Sequence, residues 1–146
     1  MPKSLFTVLF LASLTLSQAA FAKGPVAQAV SYGEPISTMV SVSFADNSAA
    51  FRPTDAQLEL LQDVRDASMV TISGRTSTNK ASAKDEALAL ARAVSARAWL
   101  VARGVSPLKI MVNFASAADF VADNSTAEGR RENQRVDIEV VYIPTY

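Results

Sequence analysis

Asn124-Ser125-Thr126-Ala127-Glu128-Gly129-Arg130-Arg131-Glu132-Asn133-Gln134-Arg135-Val136 is the stretch whose reading decides the fold. It has room for a short helix near Asn124 to Glu132 and runs straight into an alternating segment. From Val136 to Tyr142, Val136, Ile138, Val140 and Tyr142 share one face while Asp137 and Glu139 share the other, the two-residue period of a strand buried on one side. Upstream, Lys109 to Phe114 repeats the alternation and is predicted to bury Ile110, Val112 and Phe114. Before it lies the longest predicted helix, about Lys84 to Arg103, rich in alanine and leucine, capped by Ser82 and ended by Gly104. Val94, Trp99, Leu100 and Val101 sit at helical spacing there and are expected in the core.

Toward the N-terminus the pattern continues. Met69 to Gly74 alternates through Val70 and Ile72, and the polar run from Arg75 to Lys84 predicts a loop. Pro53-Thr54-Asp55-Ala56-Gln57 holds a threonine with glutamine three residues on, a capping box that opens a helix. Leu58, Leu61 and Val64 follow at three-residue steps, with Leu60 widening the stripe, so this helix is expected to lie flat on a sheet. Thr38 to Phe44 supplies the first strand, with Val40, Val42 and Phe44 on one face. The order β-α-β-α-β-(α)-β predicts an α+β sandwich with helices packed on one mixed four-stranded sheet.

Composition sets the compartment and excludes chemistries. Lys3, an apolar run from Leu5 to Leu16 and the small-x-small site Ala20-Phe21-Ala22 predict a cleavable signal peptide over residues 1–22. The run is well short of the roughly 20 residues a membrane-spanning helix needs. Residues 23–37, with Gly24, Pro25, Gly33 and Pro35, read as a leader, and residues 38–146 as one domain. The chain has no cysteine and no histidine, which removes lipoprotein attachment, disulfides, thiol and imidazole catalysis and the common zinc ligands. Its 14 Lys and Arg equal its 14 Asp and Glu, so charge does not point to nucleic acid. Ser77, Ser82 and Lys84 lack a strained elbow, a base and an oxyanion site, so no catalytic residue, metal site or cofactor is expected.

The spaced residues as a set resemble the OmpA-like peptidoglycan-binding domain family. Phe44 with Asn47-Ser48 matches the exit of the family's first strand, and Gly74-Arg75-Thr76-Ser77 stands where the family usually has Gly-His-Thr-Asp. Leu88, Arg92-Ala93, Trp99-Leu100 and Gly104-Val105 follow the spacing of its helix. Asn124, Thr126, Gly129-Arg130, Asn133, Arg135 and Val136 keep its closing register, with Gln134 replacing an arginine. The resemblance implies non-covalent binding of the peptidoglycan stem peptide through diaminopimelate, in the periplasm of a Gram-negative bacterium and in association with the outer membrane.

In such domains an aspartate takes the ligand's ammonium and a helix arginine its carboxylate. The arginine maps to Arg92, while Ser77 occupies the aspartate's position, a loss of about 1.5–3 kcal/mol of charge-assisted bonding. Asp85, where the family has asparagine, is the expected compensation, since residues seven apart share a helix face about 10 Å apart. It also fits a plain role in the helix's first turn, capped at Ser82. The expected binding residues are Arg92, Asp85, Ser77, Asn47 and Arg135, although Arg135 and Asn133 are equally suited to pinning the last loop through backbone carbonyls. The alternative is a scaffold that keeps the fold for protein contact in a secretion, conjugation or pilus machine, with outer-membrane or machine proteins as partners. A groove with Arg92 free favours the first function; Arg92 locked to a carboxylate, or the groove filled by Lys80, favours the second.

Overall fold

The computed structural model of the chain describes residues 33–145. The expected signal peptide and most of the leader lie outside them. Four strands, β1 (Ile36–Ser43), β2 (Met69–Arg75), β3 (Ile110–Ala115) and β4 (Arg135–Tyr142), alternate with α1 (Asp55–Leu60), α2 (Ala83–Ala102) and α3 (Ala127–Asn133). The sheet order is β1-β4-β2-β3, with β4 antiparallel to both neighbours and β2 parallel to β3. This is the expected mixed sheet, and α2 is the crossover that a parallel β2–β3 pair requires.

Local signals place the elements closely. Thr54 accepts from the amide of Gln57, whose side chain accepts from the amide of Thr54, completing the capping box. Ser82 caps α2 by accepting from the amide of Asp85, and Gly104, at a φ of 91°, turns the chain after it. Strand β1 begins at Ile36, two residues before the alternation predicts, and pairs there with Tyr142.

Three expectations are corrected. Helix α1 stops at Leu60, which is exposed, and the buried Leu61 and Val64 come from the turn and the 3-10 segment Val64–Asp66 that follow. Their three-residue steps suit the tighter 3-10 period. In β3, Val112 is 37% and Phe114 43% exposed, because this strand is the edge of the sheet and among the described residues has no neighbour on one side. Val94 is also exposed, since the face of α2 turned to the sheet is set by Ala89, Arg92, Ala93, Ala96 and Leu100. Trp99 is half-buried, edge-on to Phe51 with ring centroids 5.4 Å apart.

The core lies between this face of α2 and the sheet residues Val40, Val42, Val70, Ile72, Val136, Ile138 and Val140. Small residues bring the two layers close: a Cβ at Gly74 would collide with the carbonyl oxygen of Ala89. That contact brings the end of β2, and the loop after it, beside α2. Gly74→Ala is expected to lower unfolding free energy in urea by about 3 kcal/mol, the upper end of overpacking effects. An unchanged midpoint would show that helix and strand are freer to separate than their contact implies.

Candidate functional site

Helix α2 turns one arginine into the core. Arg92 is 1% exposed and is the largest fully buried side chain among the described residues. Its Nε donates to the carbonyl of Ser48 at 2.9 Å, its Nη1 to that of Arg75 at 3.0 Å and its Nη2 to that of Ala45 at 3.3 Å. Nη2 also makes a long 3.5 Å contact with Oε1 of Gln134, and the Phe44 ring lies 5.3 Å from the guanidinium. Burial pulls its pKa below the ordinary arginine value, and Asp46 acts in the opposite direction.

These bonds gather the loops after β1 and β2 and the start of β4 around a cleft of about 210 Å³. Asp46, Asn47, Thr76, Ser77, Thr78, Asp85, Leu88, Arg92 and Gln134 line it. Asn47 takes a φ of 54°, a left-handed conformation that asparagine tolerates better than most side chains. Asp85 is shared between two surroundings: one carboxylate oxygen accepts from the Ser82 hydroxyl at 2.5 Å, as the capping role predicts, yet the residue also lines the cleft.

Arg92, Asp85, Ser77 and Asn47 thus meet in one cleft, and Arg135 does not line it. Because Val136 faces the helices, Arg135 faces the other side of the sheet. Its Nε donates to both oxygens of Asp137 at 2.9 Å and its Nη2 to the carbonyl of Asp119 at 2.9 Å. Lys80 does not line the cleft, and among the described residues no ion pair includes Arg92.

Sequence reasoning missed Asp46 and the role of Gln134. The Gln134 side-chain amide donates to Asp46 Oδ1 at 3.0 Å and to Ser77 Oγ at 3.1 Å. Ser77 and Gln134, two of the departures from the resembled pattern, are therefore in contact: an acidic and a basic position are both neutral here, so this pair of exchanges cancels in charge. Asp46 directly precedes Asn47 at the exit of β1, and that adjacency was the available signal.

The closing segment positions the rim. Asn133, fully buried, accepts from the amides of Val121 and Ala122 and donates to Asn124 Oδ1. Asn124 in turn donates to the carbonyl of Ser77 and to Asn79 Oδ1, both at 2.6 Å. Thr126 caps α3 by accepting from the amide of Gly129, where a Cβ would collide with the carbonyl oxygen of Asp123.

The OmpA family model matches residues 43–134, which include every residue that lines the cleft. The chain belongs to the OmpA family. A Brucella suis protein described as a type IV secretion system outer membrane lipoprotein is 32% identical over 124 residues, 83% of this chain and 72% of the relative. Outer membrane protein A of Bordetella avium is 33% identical over 102 residues, covering 67% of this chain and 53% of that protein. Among solved structures, the cell wall anchor of the type VI secretion system from Pseudomonas aeruginosa aligns with a TM-score of 0.56 at 28% identity, over 73% of this chain and 82% of that one. The peptidoglycan-associated lipoprotein of Burkholderia pseudomallei shares the fold, with a TM-score of 0.59 at 24% identity, over 69% of this chain and 88% of that one. OmpA-like domains of this kind are binding or structural modules and not enzymes.

The burial of Arg92 makes it a structural residue whatever it touches. Arg92→Ala is expected to destabilise the domain by about 2–4 kcal/mol, because a buried carbonyl at the end of β2 and two part-buried ones after β1 lose their donor. Thermal unfolding measures this, and a melting temperature equal to wild type would show that the loops hold their own arrangement.

Proposed function

We propose that this domain binds the peptidoglycan stem peptide non-covalently and serves as a wall-holding module of a cell-envelope assembly of the type IV secretion class. The observation that carries the reading is the cleft itself. Its polar rim brings carboxylates and a guanidinium together at the meeting of three chain segments, a setting suited to a zwitterionic ligand. Membership in the OmpA family, the Brucella relative and the wall-anchor neighbour support it. The reading includes export through residues 1–22, periplasmic residence, outer-membrane association and Arg92, Asp85, Ser77 and Asn47 as binding residues. The sequence offers no cysteine as acceptor for the lipid of those lipoproteins.

A scaffold role for protein contact is the second reading, and two observations favour it. Ser77 stands where the resembled family has aspartate, and backbone carbonyls already engage most of the Arg92 donors. Co-sedimentation of the purified protein with isolated sacculi separates the readings. Wild type is expected to pellet and to be released by soluble stem peptide. Protein left in the supernatant would sink the wall-binding reading, and recovery of pelleting in Ser77→Asp would then show an intact fold whose wall binding was given up, which favours the scaffold reading.

A further inference from the structure

The cleft's unused hydrogen-bonding capacity is lopsided. A guanidinium has five N–H donors, and four of those on Arg92 are directed at Ser48, Arg75, Ala45 and Gln134. One Nη1 hydrogen remains, on a side chain that is 1% exposed. A bidentate grip on a ligand carboxylate would require the loops to give up their bonds. The acidic side is the reverse. Asp46 uses one oxygen to accept from Gln134, and Asp85 uses one to accept from Ser82. Each keeps a second oxygen without a protein donor among the described residues. The Ser77 hydroxyl accepts from Gln134 and keeps further hydrogen-bonding capacity. Two carboxylates against one internally engaged guanidinium leave the lining with net negative charge.

Resting on the stem-peptide reading above, we infer that the cleft selects its ligand by the ammonium of diaminopimelate and not by its carboxylate, with Asp46 and Asp85 as the selecting groups. An ammonium has three donors and no acceptor, which suits the free carboxylate oxygens and the Ser77 hydroxyl. Amidating the ligand's carboxylate removes a negative charge that the acidic lining repels, at the expense of one contact with Arg92. The ligand class is therefore stem peptide with a free side-chain amine, whether its neighbouring carboxyl is acid or amide. The exchange of an acidic and a basic position for Ser77 and Gln134 fits this, since it leaves Asp46 held by the Gln134 amide instead of by a competing guanidinium.

The test is calorimetric titration of the purified protein with three soluble stem peptides: diaminopimelate as free acid, amidated at its side-chain carboxyl, and acetylated at its side-chain amine. Acid and amide are expected to agree in Kd within about threefold, and acetylation to weaken binding by about tenfold or more. Asp46→Asn is expected to weaken acid and amide alike by about tenfold; its amide replacement still accepts from Gln134, but Arg92 loses a favourable charge, so thermal unfolding is measured alongside to confirm that the variant is folded at the titration temperature. An amide that binds about tenfold more weakly than the acid, or an acetylated peptide that binds equally well, overturns the inference while leaving wall binding intact. Failure of all three to bind, together with no pelleting on sacculi, removes the wall-binding reading and this inference with it.

Discussion

A guanidinium buried under a helix and satisfied by backbone carbonyls is the constraint on which the rest of this domain depends. Arg92 sits between Ala89 and Ala93 on the face of α2 that packs the sheet, where a charged group without partners would be too unfavourable to keep. Its partners come from chain segments far apart in sequence: Ala45 and Ser48 after β1, and Arg75 at the end of β2. Each loop can hold its course only while the arginine is there, and the arginine can remain only while the loops supply oxygens. The mutual requirement fixes the floor of the cleft.

A second polar clamp fixes the rim. Asn133, with no exposed surface, binds the segment 121–122 through its oxygen and Asn124 through its amide, and Asn124 extends the grip to the Ser77 loop. Buried networks of this kind favour one conformation because a half-satisfied member is costly. The residues that make the closing segment recognisable are therefore mostly framework. Thr126 caps a helix, Gly129 permits a close backbone approach, and Arg135 ties Asp137 and the Asp119 carbonyl on the opposite side of the sheet. The cleft lining includes Asp46, Ser77, Asp85 and Gln134, and at the last three the chain departs from the pattern it resembles.

This division explains which parts of the molecule were legible. Strand faces and helix starts rest on neighbouring residues, so Thr54, Ser82 and the alternation of β4 announced themselves. The exposure of Val112 and Phe114 did not, because alternation says that a strand has an apolar face and cannot say that the strand lies at a sheet edge. Arg135 was grouped with the site by its motif, although its parity against Val136 already turned it away from the helices. Asp46 was overlooked because its place follows from a loop bent by the positive φ of Asn47 and held by Arg92.

The sequence by itself determined the order of the elements and the caps, because those follow from periodicity and capping chemistry, and its resemblance to the family singled out the positions Arg92, Asp85, Ser77 and Asn47. Only the tertiary structure decided that Arg92 spends its donors on carbonyls, that Gln134 touches both Asp46 and Ser77, and that Arg135 lies on the far side of the sheet. Hydrogen-bond saturation is a property of groups brought together in space. Residues separated by more than forty positions, such as Ser48 and Arg92, acquire their pairing only when the sheet and α2 close on each other.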